Sequence, residues 1–565
     1  MMTFPVPSTA AEALLMRLKV NGVDYLFGNA GTDFAPVIEA YANAPLKNMP
    51  VPEPLVIPHE CAAIGMAHGY YLATGRPQAA MVHVNVGLAN SVMGLINMAS
   101  DNIPLFMMAG RTPLTEHERT GARMTPIQYG QEMRDQTGLI RDVVKWDYEL
   151  RYPEQVASLV DRGMAITKSA PAGPVYLGLP REPLAEPWPD GLAIDNALQA
   201  TPTRPAPDPE AVLQAAKWLE NAHHPLIICQ RGDPGGRLSQ VLSDLAAKHA
   251  IPVVENFSVQ NLLPSAHPMQ SGFDAGTWLK DADIVLAIDT EVPWIQRHQS
   301  PGKGAKIIHL GVDPLFTRMP ARSYQNDLAI MSDPVTGIEA LAAAMTGTQN
   351  SERFGSIKEK NETRRADARA RALKGDGSPM TPAYVAICLS NILGEDGRVF
   401  NELGVPAPFM DLKGPNQVIS NPYSGGLGWG LPAALGASLA EPSRLNIACV
   451  GDGSYIFANP VACHQIAEAH NLPVLIIVMN NGIWNAVRRA ARNVYPEGSA
   501  DKLNVMPLTS LQPMPDFCRI AEASRGYAER VETGNELPGA LDRALNVIRK
   551  EKRHALLELK VAAPN

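Results

Sequence analysis

Short apolar runs alternate with helix-patterned stretches from one end of this chain to the other. In the first third, Asp24–Phe27, Leu55–Ile57, Ala79–Val84, Leu105–Ala109 and Pro174–Leu179 read as strands. Phe34–Tyr41, His59–Thr74 and Asn90–Ser100 read as helices between them. Such alternation calls for βαβ crossovers around a parallel sheet covered on both faces. The same pattern resumes with strands at Pro225–Cys229, Pro252–Val254, Ile284–Ile288 and Lys306–Leu310. It returns once more with Arg398–Phe400, Asn446–Val450, Val474–Met479 and Leu556–Leu559. At 565 residues the chain is too long for one core. The expectation is an α/β protein of three doubly wound parallel-sheet domains, over residues 1–185, 205–345 and 375–565. A Pro-rich linker is expected over 180–209, and a charged, solvated helix and connector over 346–378. No short sequence repeat is visible.

Charge and cysteine usage narrow the class. The 49 Lys+Arg against 57 Asp+Glu leave a net charge of −8, with no basic field for nucleic acid. No apolar run is long enough for a membrane span, and the N-terminal residues lack a basic region followed by an apolar one. The six cysteines are scattered without a CxxC pair, which argues against zinc and against a disulfide framework. The reading is an acidic, cytoplasmic, multidomain protein.

One acidic residue sits where it is costly. In VGDGSYIF (450–457), Asp452 ends the apolar run Leu445–Val450 between two glycines. Asp-Gly is also ordinary turn chemistry. The next strand, Val474–Met479, ends in Asn480-Asn481-Gly482, and open α/β sheets bind ligands beyond the carboxyl ends of their strands. A carboxylate, an amide oxygen and a backbone carbonyl just past Asn481 form a hard-oxygen set suited to Mg²⁺ and a diphosphate. The flanking glycines let backbone N–H groups approach phosphate oxygens, ahead of a helix expected after Ser454.

GDGS, then 25 residues, then NN resembles the diphosphate–metal motif of the thiamine diphosphate (ThDP) enzymes. GGLGWGLPAALGASLAEPSR (425–444), FGNAG (27–31) and DNIPLFMMAGR (101–111) are also similar to that family, especially to its benzoylformate decarboxylase and acetolactate synthase branches. The resemblance implies that Asp452, Asn481 and the Ile483 carbonyl hold Mg²⁺, with Gly453 and Ser454 at the diphosphate. In NELGVP (401–406), Gly404 and Val405 would contact the diphosphate through their backbone. The Gly425 carbonyl would accept from the pyrimidine amino group, and Leu427 would bend the cofactor. PHECAAIGMAHGYYLATGRP (58–77) places Glu60 where the family has the glutamate that activates the aminopyrimidine. Read without the resemblance, Glu60 is equally a helix-dipole partner. The resemblance further implies a site shared between subunits, hence a homodimer or homotetramer.

The implied reaction starts on a 2-oxo acid. Once carbon dioxide has left, the outcome depends on whether a proton or a second carbonyl compound arrives. His83, in MVHVNVGLANSVMG, and His298, in PWIQRHQSPGKG, resemble the paired active-site histidines of benzoylformate decarboxylase. Histidine suits proton transfer near neutral pH. Thr32 falls at the position of that enzyme's carboxylate-binding serine. The positions matching its aromatic wall are Asn421 and Ala490, which points to a 2-oxo acid other than benzoylformate. GQEMRDQTGLIRDVVKWDY (130–148) is similar to the acetolactate synthase active-site loop, whereas the middle domain carries no firm FAD signature. Three readings are open: a decarboxylase with carboligase capacity, an acetolactate-synthase-like carboligase that could carry FAD, and a catalytically silent binding protein of the same fold.

Overall fold

The computed structural model describes residues 5–194, 198–503 and 505–563. The outer limits expected for the first and third domains, and residues 195–197 of the expected linker, lie outside them. Among the described residues three sheets form, every strand pairing within them parallel. They fall into two compact units, one of residues 1–203 with 422–441 and one of 204–421 with 442–565.

The first unit holds a six-stranded sheet of β1 (Tyr25–Asn29), β2 (Glu53–Val56), β3 (Ala79–Val82), β4 (Phe106–Arg111), β5 (Asp147–Glu149) and β6 (Val175–Pro180), in the order β2-β1-β3-β4-β6-β5. Of its four interior strands, β3, β4 and β6 are almost wholly buried, as continuous apolar runs require, while β1 is buried only at its centre. The helix expected over Asn90–Ser100 starts earlier, at Val84, and the strand before it stops at Val82. His83 is therefore the residue capping that helix rather than a strand residue. Val84 takes φ +33°, an uncommon conformation for a β-branched side chain. The Pro-rich stretch is not linker throughout. Leu184, Trp188 and Ile194 pack into the core of this unit, because apolar side chains recur among its prolines.

The Glu60–Thr74 and Gly430–Ala440 helices cross within the same unit at unusually close range. Small residues face each other there. A Cβ on Gly65 would lie 2.7 Å from the Pro432 ring, and one on Gly436 would lie 1.9 Å from the Met66 carbonyl. His68 sits in this crossing, accepting the Trp429 indole N–H at 3.1 Å.

The second unit holds two sheets. The central one orders β7 (Pro225–Cys229), β8 (Val253–Val254), β9 (Ile284–Ile288), β10 (Lys306–Gly311) and β11 (Leu328–Met331) as β11-β10-β9-β7-β8, a doubly wound arrangement. The last sheet comprises β12 (Arg398–Glu402), β13 (Val418–Ser420), β14 (Asn446–Gly451), β15 (Val474–Asn480), β16 (Tyr527–Val531) and β17 (Ala555–Lys560). Its order, β13-β12-β14-β15-β17-β16, repeats the first sheet strand for strand. The charged segment at 346–378 contains a helix, Ser351–Ala372, that buries only a few residues.

Candidate active site

In the first unit, the chemistry gathers beyond the carboxyl ends of β1 and β3. Glu60 opens its helix behind His59, whose Nδ1 accepts the Cys61 N–H. The glutamate is 9% exposed, and Asn90 donates to its Oε2 at 3.2 Å. A Cβ on Gly87 would lie 3.1 Å from Glu60 Oε1, and the Gly87 amide donates to the His83 carbonyl. Glu60 therefore lies beside the first turn of the helix that His83 caps. Thr32 is exposed on the turn after β1, and its carbonyl accepts from Arg181.

The next residue, Asp33, is buried at 3% exposure, with Oδ1 2.5 Å from His83 Nδ1. Its other oxygen accepts the Val84 N–H at 3.1 Å. On the far side of the ring, the Gln131 amide nitrogen is 3.1 Å from His83 Nε2. The hydrogen bond that the ring gives to Asp33 raises the pKa of His83 above its ordinary value against the opposing effect of burial, and the charges of Asp33 and Glu60 add to the rise. Asp33, Asn90 and Gln131 went unread in the sequence. Asp33 was findable as a carboxylate in the same short turn as Thr32, and Gln131 lies in the 130–148 segment already singled out.

Gly425 and Leu427 also belong to the first unit. Gly425 has φ +72°, and the segment around it is stitched to Asn97 through Ser424 and both backbone groups of Gly426.

The second unit carries the diphosphate motif. The helix expected after Ser454 begins at Asp452 itself. Asp452 is 3% exposed, because its carboxylate replaces water with backbone amides. Oδ2 accepts from Asn481 at 3.0 Å and Gly482 at 2.7 Å, while Oδ1 accepts from Gly453 at 2.7 Å. Burial raises the Asp452 pKa, and these amides oppose the rise. Two amides fill Oδ2, so Oδ1 keeps a lone pair for a cation. Asn481 Oδ1 accepts from the Ile483 amide at 3.1 Å, which turns the loop so that the Ile483 carbonyl comes directly after it. The buried Ser454 hydroxyl has no partner among the described residues. A carboxylate, an amide oxygen and a carbonyl, with an orphaned hydroxyl two residues beyond the carboxylate, fit Mg²⁺ and a diphosphate in donor chemistry.

Gly404 is packed onto β14, where a Cβ would lie 2.6 Å from both the carbonyl and the Sγ of Cys449. The Val405 amide is already committed to the Asn401 side chain at 2.8 Å. His298 is exposed in a turn after β9 in this second unit, while His83 belongs to the first. Asn421 is half-buried, and Ala490 is exposed on the Asn485–Val494 helix.

Sequence comparison agrees with this architecture. The chain matches the thiamine pyrophosphate enzyme N-terminal TPP binding domain over residues 8–139, the central domain over 212–341 and the C-terminal TPP binding domain over 404–559. It belongs to the thiamine pyrophosphate enzymes, in the group of decarboxylases and acetolactate synthases, and is an enzyme of that decarboxylase or carboligase kind. It is 27% identical to a benzoylformate decarboxylase of Pseudomonas aeruginosa, covering 95% of this chain and 96% of that one. It is 25% identical to an acetolactate synthase of Mycobacterium bovis, covering 95% and 86% respectively. Its fold is similar to that of a ThDP-dependent 4-hydroxybenzoylformate decarboxylase of Rhodococcus jostii, with a TM-score of 0.78 at 23% identity over 99% of this chain and 100% of that one.

Proposed function

We propose that this enzyme catalyses ThDP- and Mg²⁺-dependent, non-oxidative decarboxylation of a 2-oxo acid, and can join the product to an aldehyde or ketone. The bound cofactor supplies the electron sink for loss of carbon dioxide. Asp452 Oδ1, the Asn481 amide oxygen and the Ile483 carbonyl hold Mg²⁺. Gly404, Gly453 and Ser454 face the diphosphate, and Gly425 and Leu427 receive the pyrimidine ring; Val405 drops out of the expected set, because Asn401 takes both its amide and its carbonyl. Glu60 exchanges a proton with that ring. His83 moves a proton at the reacting substrate, Thr32 binds its carboxylate, and His298 completes the substrate side.

The observation that carries this reading is the His83 ring, held between Asp33 and Gln131 and one helical turn from the part of the helix beside Glu60. A placed proton carrier favours protonation over carbon–carbon bond formation. Asn421 and Ala490 offer no aromatic wall, which favours a 2-oxo acid other than benzoylformate. Incubation with ThDP, Mg²⁺ and a panel of 2-oxo acids, reading aldehyde and acyloin separately, tests it. Aldehyde is the expected main product, and no turnover of any member would sink the proposal.

A second reading, an acetolactate-synthase-like carboligase, is favoured by the 130–148 segment and by the acetolactate synthase relatives. The carboxyl ends of β7 and β9 weigh against FAD. Arg231 and Glu291 pair there in the interior, the Glu291 amide donates to Gln230, and Arg322 donates to the carbonyls of Thr290 and Glu291. A flavin spectrum in purified protein would reverse that preference. We take the working form to be a cytoplasmic homodimer or homotetramer with shared active sites. Among the described residues no helix is long and apolar enough to cross a membrane, and Phe457, Tyr495 and Leu508 are exposed for a second copy to cover.

A further inference from the structure

We propose that Asp33 is a positioning residue that fixes the tautomer of His83, so that Nε2 is the nitrogen that gives and takes the proton. The inference deepens the proposed function and rests on its assignment of proton transfer to His83. Three features build the device. First, the two carboxylate oxygens divide their work, Oδ1 to the ring at Nδ1 and Oδ2 to the Val84 amide at 3.1 Å. Second, the pair sits in notches that only glycine leaves open. A Cβ on Gly31 would lie 2.1 Å from His83 Nδ1, and one on Gly110 would lie 1.7 Å from Asp33 Oδ2. Third, the backbone takes a strained conformation at Val84, φ +33°, in the residue whose amide Asp33 accepts.

A carboxylate is acceptor-only, so Nδ1 must carry the hydrogen facing it, and Nε2 is left with the lone pair in the neutral ring. Gln131 is the matching latch. Its amide N–H donates to that lone pair, and the same amide turned over offers its oxygen once the ring is protonated. Asp33 and Glu60 are the charged groups acting on the ring, and both favour the protonated form.

Asp33→Asn separates this role from mere packing. The Asn amide has one acceptor oxygen for two donors. The Val84 N–H is fixed in the backbone and keeps that oxygen, so the amide NH₂ turns to Nδ1 and forces the hydrogen onto Nε2. In ¹⁵N-histidine NMR of the whole protein, wild-type His83 is expected as the Nδ1–H tautomer and Asp33→Asn as the Nε2–H tautomer, with its titration midpoint lowered. Turnover should fall by about 10²-fold with ThDP affinity unchanged, and Asp33→Asn should add nothing in a His83→Ala background. An unchanged tautomer, or an equal loss without His83, would overturn the proposal. The NMR arm needs no substrate, so it decides the role of Asp33 even if no 2-oxo acid is turned over. Asp33→Ser, too short to reach the ring, replaces Asp33→Asn should that variant not fold, and is then expected to leave His83 without a preferred tautomer.

Discussion

Gly69 and Ala433 meet backbone to backbone: a Cβ added to Gly69 would lie 1.9 Å from the Ala433 carbonyl oxygen. No rotamer change relieves such a clash, since the obstacle is main chain. The Glu60–Thr74 and Gly430–Ala440 helices would have to move apart, and with them the start of the helix that carries Glu60. Gly69→Ala is expected to cost about 1–3 kcal/mol, read as a lowered denaturant midpoint. Gly130→Ala, which meets nothing within 4 Å, is the control and should leave the midpoint unchanged.

Acid should unfold this protein partly through its buried histidines. Burial holds His68 at a pKa of about 3, His464 at about 3 and His554 at about 4. Each folded value lies below the unfolded one, so the unfolded state binds more protons as pH falls below about 6.5. Stability is therefore intact above that pH and declines toward the folded values, by about 1.4 kcal/mol per pH unit for each histidine. His68→Leu should flatten the slope between pH 6 and 4, at the cost of the Trp429 hydrogen bond throughout. Denaturant unfolding at several pH values measures both effects, and an unaltered slope would refute the assignment.

Glu60→Gln retains the side chain's shape and its contact with Asn90 but removes the exchangeable carboxyl proton. Hydrogen–deuterium exchange at the cofactor's reactive carbon is expected to fall by at least about 10²-fold, with ThDP still bound. Exchange at the wild-type rate would leave Glu60 as a helix-dipole partner only.

Asp452→Ala removes the acceptor for three backbone amides together with the proposed Mg²⁺ ligand. Isothermal titration should show ThDP–Mg²⁺ binding weakened at least about 10-fold. Chelation with EDTA should abolish wild-type turnover, and added Mg²⁺ should restore it. Retained affinity in Asp452→Ala would place the metal elsewhere.

The strands that left no mark in the sequence share a position. β5, β11, β13 and β16 are all edge strands, and the interior strands of every sheet were legible. Most interior strands are covered on both faces and so write themselves as apolar runs; β1 is covered at its centre, which suffices. β5 and β16 are largely half-exposed, β11 alternates, and β13 has three residues, so none leaves such a run. The candidate site divides in the same way. Glu60, Asp452 and Asn481 lie in short motifs, whereas Asp33 is 50 residues from His83 and Gln131 is 48, so only the fold brings them to the ring.

The shared strand order of the first and last sheets gives both the same set of positions beyond their strand ends. His83 directly follows β3, and Asp452 directly follows β14, which are counterpart strands in the two orders. Each frame therefore offers one equivalent address for chemistry. The first presents there an imidazole braced by a carboxylate, the last a carboxylate braced by amides. Proton handling and charge anchoring are thus held separately, each within its own frame.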